Sequence, residues 1–165
     1  MSVLIRLGDR IPRLNAARST NMVSLVVSMV LVVSVQTPPP ASAGSYAGTW
    51  IAEFSGTTYI RLELQGTDAA VTGRISLGNI EVDAQGQVAK AQAARAFRPL
   101  LDVVRRESHL AFASKDEHDL DRFELRLLAA DSAELTLLLS DEDRKEVAAA
   151  GIPVPKPFRL KKISS

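Results

Sequence analysis

Residues 58–65 read Thr-Tyr-Ile-Arg-Leu-Glu-Leu-Gln, and this stretch decides the fold because apolar and polar side chains alternate along it. Ile60, Leu62 and Leu64 occupy every second position, with charged residues between them. Successive side chains of a β-strand point to opposite faces, so the segment predicts a strand with one apolar face and one polar face. An amphipathic helix would instead place its apolar residues three and four positions apart.

The same alternation, with a period of two residues, recurs through the last two thirds of the chain. Further alternating runs lie at residues 71–77, 80–83, 110–113, 123–127 and 135–139. Turn-forming residues separate the runs, as in Gly66-Thr67-Asp68 and Gly78-Asn79. Glycine supplies positive φ, and Asn or Asp stabilises its own turn. Short turns between alternating strands predict an antiparallel meander of sequential neighbours.

The end of the chain predicts a short helix and then one more strand. Residues 140–151 begin with Ser140 as a helix cap, have Asp143 three positions on, and end at Gly151. A final strand is expected over residues 158–163. One short helix covers little of a sheet, so we predict an all-β, up-and-down antiparallel barrel of about eight strands, which buries the apolar face and removes free edges. A β-sandwich is the alternative.

Residues 1–43 have the features of a secretory signal peptide. Their four arginines and one aspartate give +3, and residues 22–35 form an uncharged apolar run typical of an h-region. Prolines 38–40 follow, and Ala41-Ser42-Ala43 provides an Ala-x-Ala cleavage site. We predict cleavage after Ala43 and a single domain over residues 44–165, exported to the periplasm or the extracellular space. In the alternative the leader is retained as an anchor, which would be the protein's only membrane contact.

Composition excludes several classes of function. The net charge is +1, so residues 44–165, with 16 basic and 18 acidic side chains, carry −2. A slightly acidic domain lacks the basic surface that nucleic-acid binding needs, and we predict no nucleic-acid partner. The chain has no cysteine, which excludes disulfides, thiol nucleophiles and thiolate metal sites.

Recognisable catalytic and metal-binding patterns are also missing from the sequence. There is no Gly-x-Ser-x-Gly, no His-Glu-x-x-His and no phosphate-binding loop. Ser108 and His109 are neighbours on an expected strand and should point to opposite faces. The acidic run over residues 116–121, which contains His118, is interpreted as a solvated hairpin tip rather than a cation site. We therefore predict a protein that is not an enzyme, with no cofactor and no metal.

Gly48-Thr49-Trp50, at the start of the first expected strand, resembles the Gly-x-Trp motif of the lipocalins. The order of strands, short helix and final strand is similar to the same family, or to a small bacterial calycin-type barrel. The resemblance implies that Trp50 packs across the closed end of the barrel beneath an arginine from the last strand. Arg159 is the position that fits this role. The resemblance also implies a binding module for a small hydrophobic ligand.

The alternation predicts which side chains line the barrel interior. The expected lining is Ile60, Leu62, Leu64, Val71, Ile75, Leu77, Val82, Leu101, Val103, Phe112, Phe123, Leu125 and Leu137. Such an aliphatic lining either holds a small apolar ligand or fills the lumen, because eight-stranded barrels lie near the size that side chains just fill. The alternative function is therefore a filled barrel that acts through its outer surface on a protein partner, as an inhibitor or an envelope component. Tyr59 and Leu138 are the expected outer patch.

Overall fold

The computed structural model describes the backbone of Val3–Arg6 and residues 45–67, 70–116 and 119–163. The predicted h-region and the Ala-x-Ala site lie outside these residues. The strands are β1 (Val3–Arg6), β2 (Gly48–Phe54), β3 (Thr57–Thr67), β4 (Ala70–Leu77), β5 (Asn79–Val82), β6 (Val88–Ala91), β7 (Arg98–Arg105), β8 (Leu110–Lys115), β9 (Leu120–Leu127), β10 (Ser132–Leu138) and β11 (Phe158–Ile163). The helix α1 covers Asp141–Ala149.

Eight strands close into an antiparallel barrel in the order β10-β11-β2-β3-β4-β7-β8-β9. Each barrel strand pairs with the next barrel strand along the chain, and β11 returns to β2 with Lys162 opposite Trp50. The predicted up-and-down barrel, with a short helix before the final strand, is confirmed, and the sandwich alternative is wrong. Closure satisfies the backbone groups that would otherwise line two free sheet edges.

The segment 79–91 leaves the barrel, although the alternation over residues 80–83 predicts another wall strand there. β5 and β6 form a hairpin in a separate sheet, in which β1 is the third strand and pairs Val3 with Val82. Ile80 and Val82 are fully buried and belong to the same core cluster as the barrel interior. The hairpin follows the end of β4 and so covers that end of the barrel. At the departure point, Gly78 lies against the Gln92 carbonyl, where a Cβ atom would collide.

The barrel wall is least complete between β4 and β7. This ladder has two pairs of Cα partners, Arg74–Pro99 and Ile75–Arg98, whereas the other barrel ladders have three to eight. Pro99 has no N–H to donate, and Asp102 has a left-handed φ of 51° that breaks the regular strand. We call the region between residues 70–73 of β4 and residues 100–105 of β7 the β4–β7 seam.

The helix forms as the sequence predicts. The Ser140 side chain accepts a hydrogen bond from the Asp143 backbone N–H, and the Asp143 carboxylate accepts one from the Ser140 backbone N–H, which completes a capping box. At the other end Gly151 has φ of 65°, and the N–H of Ile152 donates to the Val147 carbonyl, as in a Schellman motif. Val147 is the buried residue of the helix. Within the part of the chain described, no helix has the length and apolar character needed to cross a membrane.

Candidate functional site

One end of the barrel is closed around Trp50, which has no exposed surface. Its indole Nε1 donates a hydrogen bond of 2.8 Å to the backbone carbonyl of Tyr46. Tyr46 is itself buried, and the Arg105 guanidinium lies 4.6 Å from the centroid of its ring. Trp50 and Tyr46 therefore close this end together, in agreement with the plug that the sequence suggests for Trp50.

The cation over Trp50 is Lys162, and the expectation for Arg159 is wrong. Lys162 Nζ lies 5.2 Å from the Trp50 ring centroid and donates a hydrogen bond of 3.1 Å to the Ser45 carbonyl. Arg159 is 74% exposed and lies beside Glu134, with 3.6 Å between the charged atoms. The reason is strand parity, because Phe158 and Leu160 point inward, so Lys162 shares their face and Arg159 does not.

Gly48 makes the position of Lys162 possible. A Cβ atom at residue 48 would collide with the Lys162 side chain at Cε. The backbone of Gly48 also has φ of 132°, which side-chain-bearing residues rarely adopt. The Gly-x-Trp pair therefore works as a unit, with the glycine leaving space for the lysine that covers the tryptophan.

Most of the predicted lining is buried in one core. Eight predicted residues are at most 5% exposed within this core, namely Ile60, Leu62, Leu64, Ile75, Leu77, Phe112, Phe123 and Leu125. Several have no accessible surface at all, so no space large enough for water adjoins them. Val71, Val103 and Leu137 are half-buried and pack against the same cluster. The interior is thus filled where it is deepest.

Two predicted lining residues lie elsewhere. Val82 is buried, but in β5 of the covering hairpin rather than in the barrel wall. Leu101 is on the outer surface and 38% exposed. Its position follows from the irregularity at Asp102, where the β7–β8 register shifts. Leu100 and Val103 pack against the core instead, which a regular alternation would not allow because they are three residues apart.

Side chains at the β4–β7 seam are apolar but incompletely buried. Val71 on β4 and Leu100 and Val103 on β7 contact the core while retaining exposed surface. On the outer face of β7, Leu101 and Val104 are exposed, the latter by 45%. At the seam, therefore, the backbone ladder between β4 and β7 is interrupted, and apolar side chains extend from the exposed surface to the core.

A charged group lies inside the barrel beside the seam, and sequence reasoning missed it. Arg98 faces inward because it pairs with the inward Ile75, and its side chain is 15% exposed. Its Nη1 atom is 3.3 Å from Asp116 Oδ2 and 3.8 Å from Asp121 Oδ2. Ser114, on the neighbouring strand, is fully buried. We call these four residues the Arg98 cluster.

Two donor groups of the Arg98 cluster are buried without a hydrogen bond, in addition to the acceptor atom Asp121 Oδ2. The two donors are Arg98 Nη1, whose ion pairs lack hydrogen-bond geometry, and Ser114 Oγ. A buried donor without an acceptor costs about 1–3 kcal/mol, so such atoms mark a place for a water molecule or a ligand atom. The parity of Ser114 with Phe112 is a signal by which the sequence alone reveals the inward serine.

Among the described residues, Glu53 and Tyr59 have shifted pKa values. The Lys161 ammonium, 2.5 Å from the Glu53 carboxylate, lowers the pKa of Glu53 through a hydrogen bond and charge attraction. Burial raises the pKa of Tyr59. Tyr59 is 5% exposed and its ring meets that of Phe158 edge-on at 6.1 Å, so it does not form the outer patch expected from the sequence. Leu138, the other expected patch residue, is half-buried.

Ser108 and His109 do contact each other, contrary to the expectation from strand parity. Ser108 Oγ lies 3.3 Å from His109 Nδ1, and His109 Nε2 lies 3.6 Å from Glu124 Oε1. Both residues precede β8 in a turn, where strand alternation does not apply. Ser108 is exposed and Glu124 is 40% exposed, so water competes for every hydrogen bond of this group.

The acidic run lies between β8 and β9 and enters β9 at Leu120, and the Asp116 N–H donates a hydrogen bond of 2.8 Å to the Asp119 carbonyl. Glu117 and His118 of that run lie outside the described residues. Among the residues that are described, no group of three or more histidine or acidic side chains is placed to hold a metal ion.

Comparison with known proteins identifies no relative. The chain matches no protein-family model, no curated protein and no solved structure. The eight-stranded antiparallel barrel is compatible with a calycin-like fold, and the function must be argued from the geometry of this chain itself.

Proposed function

We propose that this protein is an exported β-barrel that binds a small, predominantly apolar molecule at the inner side of the β4–β7 seam. The observation that carries the proposal is the seam itself, where the β4–β7 ladder stops at Arg74–Pro99 and Val71 lies across the unpaired stretch from Leu100 and Val103. Both ends of the barrel are covered, by Tyr46 and Trp50 at one and by the β5–β6 hairpin at the other. Export is inferred from the leader features of residues 1–43.

Binding at the seam moves side chains rather than filling an empty lumen. The three seam residues are half-buried, so rotating them outward costs fewer core contacts than moving Leu62 or Leu125, which have no exposed surface. A ligand that buries about 450 Å² of apolar surface gains about 11 kcal/mol at about 25 cal/mol per Å². Association costs of about 4 kcal/mol leave about 7 kcal/mol, which is a Kd of about 10 μM.

The test is ligand-dependent stability of the protein produced from its full sequence. Thermal unfolding and Trp50 fluorescence are measured with apolar ligands of graded size, since a ligand specific for the folded state raises Tm by mass action. Val103→Gln should abolish the shift, because it places an amide at the inner seam. Val154→Gln is the matched control, since Val154 is an equally β-branched residue that is 47% exposed in the segment before β11. Shifts of equal size in both variants would place binding elsewhere.

The complete burial of the deep core favours a second candidate function. A filled barrel would act through its outer surface, and Leu101 and Val104 are the exposed apolar side chains of β7 available for a protein partner. A Tm that no apolar ligand moves, together with Trp50 emission that stays blue-shifted, would favour this alternative over the ligand-binding proposal.

A further inference from the structure

We infer that the ligand carries a neutral oxygen acceptor, such as an alcohol or a carbonyl, which is bound by Arg98 and Ser114 at the inner end of the seam. The inference rests on the proposed function and assigns the chemical class of the ligand. It starts from the two donor groups of the Arg98 cluster that are buried without a hydrogen bond.

Both of these atoms adjoin Asp121, because Arg98 Nη1 is 3.8 Å from Asp121 Oδ2 and Ser114 is the cross-strand partner of Asp121. We infer from this shared neighbour that the two donors can reach one oxygen. Arg98 Nη1 is a guanidinium donor with no acceptor capacity, and the Ser114 hydroxyl donates as its hydrogen rotates. Ser114 lies opposite Leu100, and Arg98 forms the last pair of the β4–β7 ladder with Ile75. The polar site therefore adjoins the apolar seam, where the body of the ligand would contact Leu100 and Val103.

The charge of the cluster selects against an anionic head group. Arg98 contributes one positive charge, while Asp116 and Asp121 contribute two negative charges within 4 Å of its Nη1 atom. The guanidinium is already compensated, and a ligand carboxylate would add a third negative charge to a partly desolvated site. A neutral oxygen accepts from both donors without that repulsion.

The experiment compares three ten-carbon probes that differ only in their head group: 1-decanol, decanoate and decylammonium. Binding to the full-length protein is measured at pH 8 by competition with the neutral dye Nile red and by thermal shift. We expect decanol to bind about 10-fold more tightly than decanoate. Ser114→Ala should weaken the binding of decanol about 5-fold, which is the effect of one hydrogen bond, and should leave the affinity for decanoate nearly unchanged.

Ser76→Ala is the matched control. Ser76 is also a buried strand serine, but its Oγ already donates to the Arg95 carbonyl on the other side of the wall. That variant should lower Tm without changing the decanol-to-decanoate ratio. Arg98→Lys is the second variant, which keeps the positive charge but moves the hydrogen-bond donor. It should also weaken the binding of decanol.

Each contrary result identifies which idea fails. If decanoate or decylammonium binds more tightly than decanol, the inference of a neutral acceptor is overturned. Decanol affinity that is unchanged in Ser114→Ala and in Arg98→Lys would mean that only water occupies the Arg98 cluster, while the seam site itself would stand. Failure of all three probes to bind or to shift Tm would overturn the proposed function and this inference with it.

Discussion

Replacing Gly48 with alanine tests the closed end of the barrel, because two separate costs meet at this position. The backbone φ of 132° belongs to a region that only glycine adopts readily, and holding alanine there costs about 1–3 kcal/mol. The new Cβ atom also collides with the Lys162 side chain, which must move off the Trp50 ring. Loss of that cation–π contact adds about 0.5–1 kcal/mol, so we expect a total of about 3 kcal/mol.

The chain supplies a control for the backbone cost. Gly56 has φ of 78°, and a Cβ atom there would meet nothing within 4 Å. Gly56→Ala should therefore cost about 1 kcal/mol from backbone strain alone. The collision is isolated by a double-mutant cycle with Lys162→Ala, in which Gly48→Ala should cost about 0.5–1 kcal/mol less than in the parent protein.

Urea unfolding followed by Trp50 fluorescence measures all four variants, since Trp50 is the only tryptophan. Gly48→Ala should also change the folded-state emission, because the charge above the indole moves, whereas Gly56→Ala should not. The reasoning is refuted if Gly48→Ala is no more destabilising than Gly56→Ala, or if its cost is the same with and without Lys162.

Three further outcomes follow from the same structure. Arg98→Met should destabilise the protein by about 1–3 kcal/mol in urea unfolding, because it removes the cation that lies 3.8 Å from the partly buried Asp121 carboxylate. Arg122→Met on the exposed face should change stability by less than about 0.5 kcal/mol. Burial raises the pKa of Tyr59 in the folded state, so its contribution to stability is present below the unfolded value of 10.0 and is lost as the pH rises through the higher folded value. Melting temperatures from pH 8 to 11 should therefore fall more steeply in the parent protein than in Tyr59→Phe, and parallel curves would contradict this. Ser108 should not react with a fluorophosphonate probe, since its contact with His109 is exposed to water, and labelling that disappears in both Ser108→Ala and His109→Ala would show that the protein is an enzyme.

Local rules of the sequence predicted the elements whose form depends on nearby residues. The alternation at residues 58–65 identified a strand and its buried face, since the pleat of a strand has a period of two wherever it lies. The capping box at Ser140 located the start of the helix for the same reason, because both of its hydrogen bonds are closed within four residues. Closure of the barrel followed from the need to bury one apolar face when the sequence predicts one short helix to cover it.

The candidate site was predicted less completely, because the orientation of its residues depends on where the regular strand alternation is broken and on which strands pair. The irregularity at Asp102 moved Leu101 outward and brought Leu100 toward the core. Arg98 would ordinarily be assigned to a solvated face, yet its pairing with Ile75 points it inward toward Asp116 and Asp121. The position of Leu101 depends on a register shift against β8, and that of Arg98 depends on β4, which the β5–β6 hairpin separates from β7 along the chain.

By itself the sequence determined the all-β class, the inward face of most strands, the helix and the role of Trp50 as a core plug, because these depend on backbone periodicity and on hydrogen bonds between near neighbours. Tertiary structure alone decided that residues 79–91 leave the wall, that Lys162 rather than Arg159 covers Trp50, and that Arg98 lies beside Asp116 and Asp121. The physical reason is that register and closure bring together residues far apart in the chain, and a single bulge changes the face of each residue that follows it.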